Sequence, residues 1–378
     1  MASGITPTRR LRATPFTPRV EAAGVKAYTI YNHMLLPTMF ESFEADYRHL
    51  KEHVQIWDVS AERQVELKGK DAHKLACMLS ARDLTAAKPG RCYYAPICGP
   101  DGGMINDPIA LCLAEDHFWF SIADSDMRLW AEGIATGLGL DVTVCEPDVS
   151  PLAIQGPKAE DLLVRVFGDE IRSIKFFNFK AFPFKGRMLN IARSGWSKQG
   201  GFEIYLDDSS LGLDLWDLIT DHADGFNLRA GCPNAIERIE SGLLSYGNDM
   251  TRGDTPLQIG LEKYVGLDKD VHFIGKDALL RQRDAGIQSR MMGVLMDGPK
   301  LPGVAMPLPA RDGKTHVGQV TSGIYSPDWE TNVGFAMLDI AATEYGTELT
   351  IETAHAGPQN AKVVEVIDLW SRLNNQST

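Results

Sequence analysis

The chain has 378 residues, of which 44% are hydrophobic and 23% charged, a composition typical of a folded protein with material for two or three domains. Its formal net charge of −12 argues against an extended phosphate-binding surface and therefore against a nucleic-acid partner. Residues 1–20 hold no apolar signal-peptide core, and no apolar run reaches membrane-spanning length. We therefore expect a cytoplasmic protein without a membrane partner. The six cysteines include no C-x-x-C pair, which argues against a structural zinc site.

Hydrophobic periodicity predicts a mixed series of helices and strands along the first two thirds of the chain. Helices are predicted at residues 41–55, 70–80, 125–138, 156–167, 209–222 and 233–244. Strands are predicted at residues 62–67, 108–113, 117–122, 142–146, 152–155, 187–193 and 201–206. The order is not a regular βαβ series, so we expect an α+β fold. Beyond about residue 285, prolines separate short β-like runs, which indicates a separate small β domain.

Several common signatures of catalysis are absent from the sequence. There is no dinucleotide-binding G-x-G-x-x-G, no Walker phosphate loop, no H-E-x-x-H and no G-x-S-x-G. Their absence weighs against flavin and nicotinamide enzymes, nucleotide hydrolases and metalloproteases. What remains are three loops that are rich in glycine, aromatic and acidic residues.

The first loop, residues 93–108, carries the turn Gly102-Gly103 and then Asp107, just before an apolar strand. Paired glycines allow the backbone to approach a ligand closely. From the pattern alone, a turn or cap carboxylate is the simpler interpretation of Asp107.

The second loop, residues 193–205, ends in a strand of a predicted hairpin. Glu203 and Tyr205 are two residues apart, so their side chains point to the same face of that strand. A carboxylate in this position can accept two N–H donors from a planar heterocycle. A solvent-facing glutamate in an alternating strand is the plainer alternative.

The third loop, residues 237–249, follows the start of a predicted helix. Arg238 and Glu240 could pair with each other or orient a ligand. Ion pairing on the helix surface is the simpler interpretation.

Taken together, these loops resemble the folate-binding aminomethyltransferase family, which includes the glycine-cleavage T-protein. Residues 102–107 resemble the family's Gly-Gly turn and acidic motif, and residues 195–203 resemble its G-Y-T-G-E-D-G-F-E loop. Residues 238–249 match R-x-E-x-G-L-x-x-Y-G-x-D, and residues 318–327 match G-x-V-T-S-G-x-x-S-P. Four motifs in the same order, spread over most of the chain, make a chance match improbable.

The resemblance implies a three-lobed, cloverleaf-like α+β fold with a folate channel. It implies a catalytic region of two interleaved α+β lobes at residues 1–284 and a C-terminal β-barrel domain at residues 285–378. It also implies that tetrahydrofolate is the methyl-accepting cosubstrate, with no metal and no flavin.

By the same resemblance, Asp107 is the catalytic residue, which would hold the folate amine and steer its proton, and Glu203 would anchor the pterin edge. The other residues that would line or support the folate channel are Tyr94, Ser121, Phe177, Tyr205 and Arg238.

Departures from the T-protein pattern point to the methyl donor. Trp196 replaces the tyrosine of the family loop, and Gln199-Gly200 replaces its Glu-Asp pair. An acid that would meet an ammonium substrate is thus lost, and an aromatic ring that attracts a soft cation is gained. Residues 28–37, 152–157 and 194–201 resemble a demethylating branch of the family. We therefore expect a sulfonium carboxylate as donor, enclosed by Tyr31 and Trp196.

Lys198 is a candidate partner for the donor carboxylate, although an exposed loop lysine is the simpler interpretation. Asn106 stands where the family often has an acid, which reduces the negative charge near Asp107.

Two alternatives stay open at this point. One is another enzyme of the same fold, either a T-protein or a demethylase of betaine-like amines or methyl ethers. The other is a folate-binding accessory protein without catalysis. For the demethylase the expected partner is a small-molecule substrate, with a possible homodimer, whereas a T-protein would need a lipoyl carrier partner.

Overall fold

The computed structural model describes residues 8–353 and 356–366, which contain both helices and strands. The α-helices are α1 (Thr17–Ala22), α2 (Phe43–Glu52), α3 (Ala72–Leu79), α4 (Met127–Gly137), α5 (Ala159–Phe167), α6 (Gly212–Asp221), α7 (Ala235–Glu240) and α8 (Lys276–Ala285). The strands are β1 (Ala27–Tyr31), β2 (Met34–Met39), β3 (Val54–Asp58), β4 (Gln64–Lys68), β5 (Arg91–Tyr94), β6 (Ile97–Cys98), β7 (Met104–Asn106), β8 (Ile109–Ala114), β9 (His117–Ser121), β10 (Thr143–Cys145), β11 (Ser150–Gln155), β12 (Phe179–Phe184), β13 (Arg187–Ala192), β14 (Gly201–Leu206), β15 (Leu228–Gly231), β16 (Ser289–Met296), β17 (Leu308–Asp312), β18 (Thr315–Ser326), β19 (Thr331–Asp339), β20 (Glu348–Thr353) and β21 (Gly357–Val364). Within the described ranges, no helix has the length and apolar character needed to span a membrane.

The described residues fall into two compact units. The first comprises the chain up to Ala95 together with Asn106–Asn234, and the second comprises Pro96–Ile105 and the chain from Ala235 onward. The division into domains at residues 284 and 285 stays a prediction, and the outer ends of both predicted domains lie outside the described residues.

A five-stranded sheet in the first unit brings four connecting segments to one end. Its strand order is β10-β4-β9-β8-β5, and every neighbouring pair is antiparallel. Ser121 at the end of β9 pairs with Gln64 at the start of β4 and with Ile109 at the start of β8. Tyr94 at the end of β5 also pairs with Ile109. Residues 62–63, 94–95, 106–108 and 122–125 therefore meet at what we call the polar end of this sheet.

A six-stranded sheet, in the order β12-β13-β14-β11-β3-β15, forms the other layer of the first unit. One face packs on an apolar core that includes residues of α5 and α6. The opposite face meets the five-stranded sheet in a second cluster, with Tyr205 and Ala192 on one side and Trp119 and Leu111 on the other. The site residues of β14 thus lie between the two sheets.

The predicted helix at residues 41–55 is too long. Helix α2 ends at Glu52, and Val54 begins β3, all of whose residues are buried. Val54 and Ile56 belong to the apolar core under the six-stranded sheet. Packing against that core therefore overrides the helical periodicity that extended the prediction to residue 55.

The second unit contains a closed six-stranded barrel, in the order β16-β19-β18-β17-β20-β21. Aliphatic side chains that alternate along its strands fill the interior, for example Met292, Val294 and Met296 of β16. The small C-terminal β domain predicted from the prolines is therefore a barrel that begins at Ser289.

Candidate active site

Asp107 lies at the polar end of the five-stranded sheet, next to Tyr94. The phenolic hydroxyl of Tyr94 donates a hydrogen bond to Oδ2 of Asp107 at 2.9 Å. The pairing of β5 with β8 brings the two residues together, since Tyr94 is the last residue of β5 and Asp107 precedes β8 by two residues. Because an ionised carboxylate is the acceptor, this hydrogen bond is stronger than one between two neutral groups, and it holds the carboxylate of Asp107 in one direction.

Tyr31 is brought to the same end by a tight hairpin. The turn between β1 and β2 consists of Asn32 and His33, both with positive φ (49° and 63°), as a two-residue turn of this handedness requires. The buried side chain of Asn32 donates to the carbonyl oxygens of Ala61 at 2.9 Å and Ala123 at 3.2 Å. The hairpin that carries Tyr31 is therefore fixed to the segments around residues 61 and 123.

Asn106 fixes the residue next to Asp107 in a similar way. Its side chain is fully buried, donates to the carbonyl oxygen of Ala123 at 2.9 Å and to Oγ of Ser125 at 2.7 Å, and accepts from the amide of Ala123 at 3.0 Å. A carboxylate cannot donate to a carbonyl oxygen, so an aspartate would lose the bond to Ala123 and leave its oxygen facing that carbonyl. The hydrogen bonds of Asn106 therefore explain why an asparagine occupies this position, in addition to the lower negative charge that the sequence suggested.

Glu203 projects from β14 into the space between the two sheets, on the same face as Tyr205. The hydroxyls of Ser194 and Tyr205 both donate to its Oε2, the latter at 3.3 Å. Oε1 has no hydrogen bond among the described residues and is not enclosed, so it remains open to donors from a ligand. Burial raises the pKa of Glu203, and the two hydroxyl donors oppose that shift.

The loop before Glu203 rests on a single buried amide. Gln155 donates to the carbonyl oxygen of Ser194 at 3.2 Å and accepts from the hydroxyl of Ser197 at 2.8 Å. Gly195 has φ +137°, and a side chain there would overlap the Gln155 amide. Glycine is therefore required at this position because the backbone lies directly on Gln155.

The loop places Trp196 and Lys198 between β13 and β14. Trp196 is half-buried and Lys198 is exposed. The enclosure of a donor by Tyr31 and Trp196, and the pairing of Lys198 with a donor carboxylate, remain predictions.

Ser121 and Phe177 lie at the margins of the same layer. Ser121 is buried and accepts a hydrogen bond from the side-chain amide of Gln64 at 2.9 Å. Phe177 packs against the cluster that contains Tyr205 and Trp119, and its backbone has φ +58°. A bulky residue in this region of φ is strained, a feature that often marks a functional position.

Glu62 was not predicted from the sequence, yet it lies with these residues. It precedes β4 at the polar end of the five-stranded sheet. Burial raises its pKa well above the ordinary value, and the negative charges of Glu203 and Asp107 raise it further. Burial, followed by the charges of Glu62 and Asp107, likewise raises the pKa of Tyr31. Because the charges of neighbouring groups raise these pKa values, we treat the groups as one electrostatic cluster of the first unit, formed by Glu62, Asp107, Glu203 and Tyr31.

Arg238 belongs to the second unit and pairs with Asp249, at 2.8 Å, rather than with Glu240. It also donates to Oγ of Ser322 at 2.6 Å, and Thr321 donates to Asp249 at 2.9 Å. The third and fourth sequence motifs therefore meet in one buried network, between the segment that follows α7 and barrel strand β18. The ion pair between Arg238 and Asp249 is buried, whereas the sequence suggested pairing on the helix surface.

The cluster in the first unit suits a ligand that has polar N–H groups and positive charge. The neutral hydroxyls of Tyr94, Ser194 and Tyr205 donate to the carboxylates of Asp107 and Glu203. Oε1 of Glu203 can accept an N–H from the edge of a heterocycle, so the residues fit a pterin. Among the described residues, no group of three His, Cys, Asp or Glu side chains is arranged to hold a metal ion.

Comparison with known proteins gives the same fold and a family. Residues 16–269 match the GCVT N-terminal domain, and residues 290–367 match the glycine cleavage T-protein C-terminal barrel domain. Among solved structures, the glycine cleavage system aminomethyltransferase T from Bartonella henselae is similar with a TM-score of 0.83 and 22% identity, covering 94% of this chain and 97% of that one. The predicted aminomethyltransferase-like α+β fold is confirmed.

Two curated relatives span nearly the whole chain. A dimethylsulfoniopropionate demethylase of Ruegeria pomeroyi is 52% identical over 93% of this chain and 96% of its own length. An aminomethyltransferase of Thermoanaerobacter sp. (strain X514) is 30% identical over 84% of this chain and 86% of its own length. The chain therefore belongs to the glycine-cleavage T-protein family.

Proposed function

We propose that this protein is a tetrahydrofolate-dependent demethylase of dimethylsulfoniopropionate, which forms 5-methyltetrahydrofolate and 3-(methylthio)propanoate. The observation that carries the proposal is the 52% identity to the Ruegeria pomeroyi demethylase over 93% of the chain, against 30% for the aminomethyltransferase. The loop that carries Trp196 in place of an acidic pair agrees with a sulfonium donor.

The reaction requires no change of oxidation state. The carbon–sulfur bond breaks with its electron pair left on sulfur, so the leaving group is a neutral thioether. Tetrahydrofolate, when bound, supplies the amine nitrogen that forms the new bond to the methyl carbon. The task of the protein is alignment and the exclusion of water, and orientation of this kind can lower a barrier by about 7–11 kcal/mol.

Different residues of the site bind the folate amine, the pterin edge and the methyl donor. Asp107, held by Tyr94, binds the amine and takes up its proton. Glu203 anchors the pterin edge through its open Oε1, while Tyr205 and Ser194 hold its other oxygen. Tyr31 and Trp196 enclose the sulfonium centre.

A donor panel tests the proposal. Purified protein and tetrahydrofolate are incubated with dimethylsulfoniopropionate, glycine betaine, dimethylglycine or sarcosine, and 5-methyltetrahydrofolate is measured. We expect product with dimethylsulfoniopropionate alone. Product with an amine donor would reassign the substrate, and folate binding without turnover of any donor would make the chain an accessory protein. Release of ammonium with a lipoyl carrier and glycine-derived substrate would instead identify an aminomethyltransferase.

A further inference from the structure

Glu62, at the polar end of the five-stranded sheet, is a carboxylate to which no side chain or backbone group of the described residues donates. Within residues 8–353 and 356–366, its side chain forms no hydrogen bond and no ion pair. Its oxygens are not among the enclosed, unsatisfied polar atoms of that part of the chain, so they are open to a ligand. By contrast, Glu66, four residues further along in β4, accepts from His117 at 2.7 Å and from Trp119 at 2.9 Å.

Strand register places Glu62 among the site residues. It lies two residues before Gln64, which pairs with Ser121, and Ser121 in turn pairs with Ile109, two residues after Asp107. Glu62 itself lies in the bend between Ala61 and the start of β4. The carbonyl oxygen of Ala61 accepts a hydrogen bond from Asn32, in the turn that follows Tyr31. Within β4, Glu66 pairs with Trp119, whose ring packs against Tyr205 of the other sheet.

The two charged groups that act on Glu62, Glu203 and Asp107, are both negative. The pKa of Glu62 is raised by burial and then by Glu203 and Asp107, and the Glu62 charge in turn raises the pKa values of Tyr31 and Tyr205. Bringing a third carboxylate beside two others is unfavourable unless a positive charge joins them. In the proposed function Glu203 binds the pterin edge and Asp107 binds the folate amine. Neither of these two groups requires a third carboxylate.

We propose that Glu62 selects a positively charged methyl donor by holding its carboxylate against the donor's cationic centre. This inference rests on the proposed function, because it concerns how the donor of that reaction is recognised. The positive charge leaves the sulfur as the methyl group is transferred, so Glu62 binds the donor more strongly than the neutral thioether product. In the transition state the positive charge is still present, shared between the sulfur and the attacking nitrogen, so Glu62 stabilises the bound donor and the transition state to a similar extent. Its loss therefore raises KM for the donor while kcat changes little.

The test compares Glu62→Gln with Glu66→Gln, a control in strand β4 whose carboxylate already accepts hydrogen bonds from His117 and Trp119. Two inhibitors of equal shape are used, and both carry a carboxylate. The quaternary nitrogen of 3-(trimethylammonio)propanoate is positively charged, whereas the quaternary carbon at the same position of 4,4-dimethylpentanoate is neutral. We expect the parent and Glu66→Gln to prefer the cation, and Glu62→Gln to lose about 10- to 100-fold of that preference, which corresponds to about 1.4–2.7 kcal/mol. KM for dimethylsulfoniopropionate should rise by a similar factor, while KM for tetrahydrofolate should stay within about twofold.

Glu62→Asp keeps the charge and should retain most of the preference, which separates recognition of charge from a folding defect. A Glu62→Gln protein that prefers the cation as strongly as the parent does would overturn the inference. An equal rise in both KM values would assign Glu62 to folate instead. Calorimetry with the two inhibitors needs no turnover, so inactivity of the parent on dimethylsulfoniopropionate would refute the proposed function without deciding the role of Glu62.

Discussion

Replacing Tyr94 by phenylalanine tests whether the hydrogen bond to Asp107 orients the catalytic carboxylate. The change removes one hydroxyl that donates at 2.9 Å and leaves the ring in place. A hydrogen bond to a charged group contributes about 1.5–3 kcal/mol. If Asp107 must keep its direction in the transition state, that energy corresponds to a loss of about 10- to 150-fold in kcat/KM, at 1.36 kcal/mol per tenfold.

The assay is formation of 5-methyltetrahydrofolate from dimethylsulfoniopropionate, with Tyr93→Phe as the matched control. Tyr93 is the neighbouring tyrosine, and its hydroxyl accepts from the backbone amide of Lys88 at 3.0 Å, outside the Asp107 contact. We expect Tyr93→Phe to stay within about threefold of the parent, since the loss of a neutral hydrogen bond affects mainly stability.

A double-mutant cycle makes the reasoning refutable. Asp107→Ala should lower kcat by about 10²- to 10⁴-fold, the usual contribution of a positioned acid–base group. In that background Tyr94→Phe should have little further effect, because the group that Tyr94 orients is gone. Equal effects of Tyr94→Phe with and without Asp107, or a loss below twofold in the parent, would show that the hydrogen bond does not serve catalysis.

Three further predictions concern stability. Gly195→Ala should lower the free energy of unfolding by about 1–3 kcal/mol more than Gly200→Ala, because both glycines have positive φ but only a side chain at 195 overlaps Gln155; equal losses in urea titrations would contradict this. Asp249→Ala should cost about 3–5 kcal/mol by leaving the buried Arg238 uncompensated, whereas replacing both by apolar residues should cost less; thermal unfolding of the two variants compares them. The two site glutamates with raised pKa values hold protons that the unfolded chain releases, so stability should fall as the pH rises from about 4.5 toward neutral. Denaturant titrations across that range should show a smaller fall in Glu62→Gln, and an unchanged pH dependence would argue against the buried carboxylate pair.

Local pattern was enough to predict several parts of the fold and site. Alternation along one strand places Glu203 and Tyr205 on one face, and a hydrogen bond between them follows. The hairpin of β13 and β14 was predicted from two apolar runs and a glycine-containing loop, because such pairing involves neighbours in sequence. The ordered motifs, by resemblance, gave the family and its C-terminal barrel, both of which the comparisons confirm.

Other features depend on contacts between residues far apart in the chain, which no local pattern contains. In the sequence, Glu62 is an ordinary polar residue at the start of the strand predicted at residues 62–67, and only the pairing of β4, β9 and β8 brings it toward Asp107. The partner of Arg238 was predicted within its own helix, whereas the folded chain supplies Asp249 and Ser322, the latter 84 residues away.

The end of α2 was missed for the same reason, since burial of β3 against the sheet core decides it. By itself, then, the sequence determined the residue types, their faces and the family motifs. Tertiary structure decided which charges share a low-dielectric space, because that depends on how distant strands pair and pack.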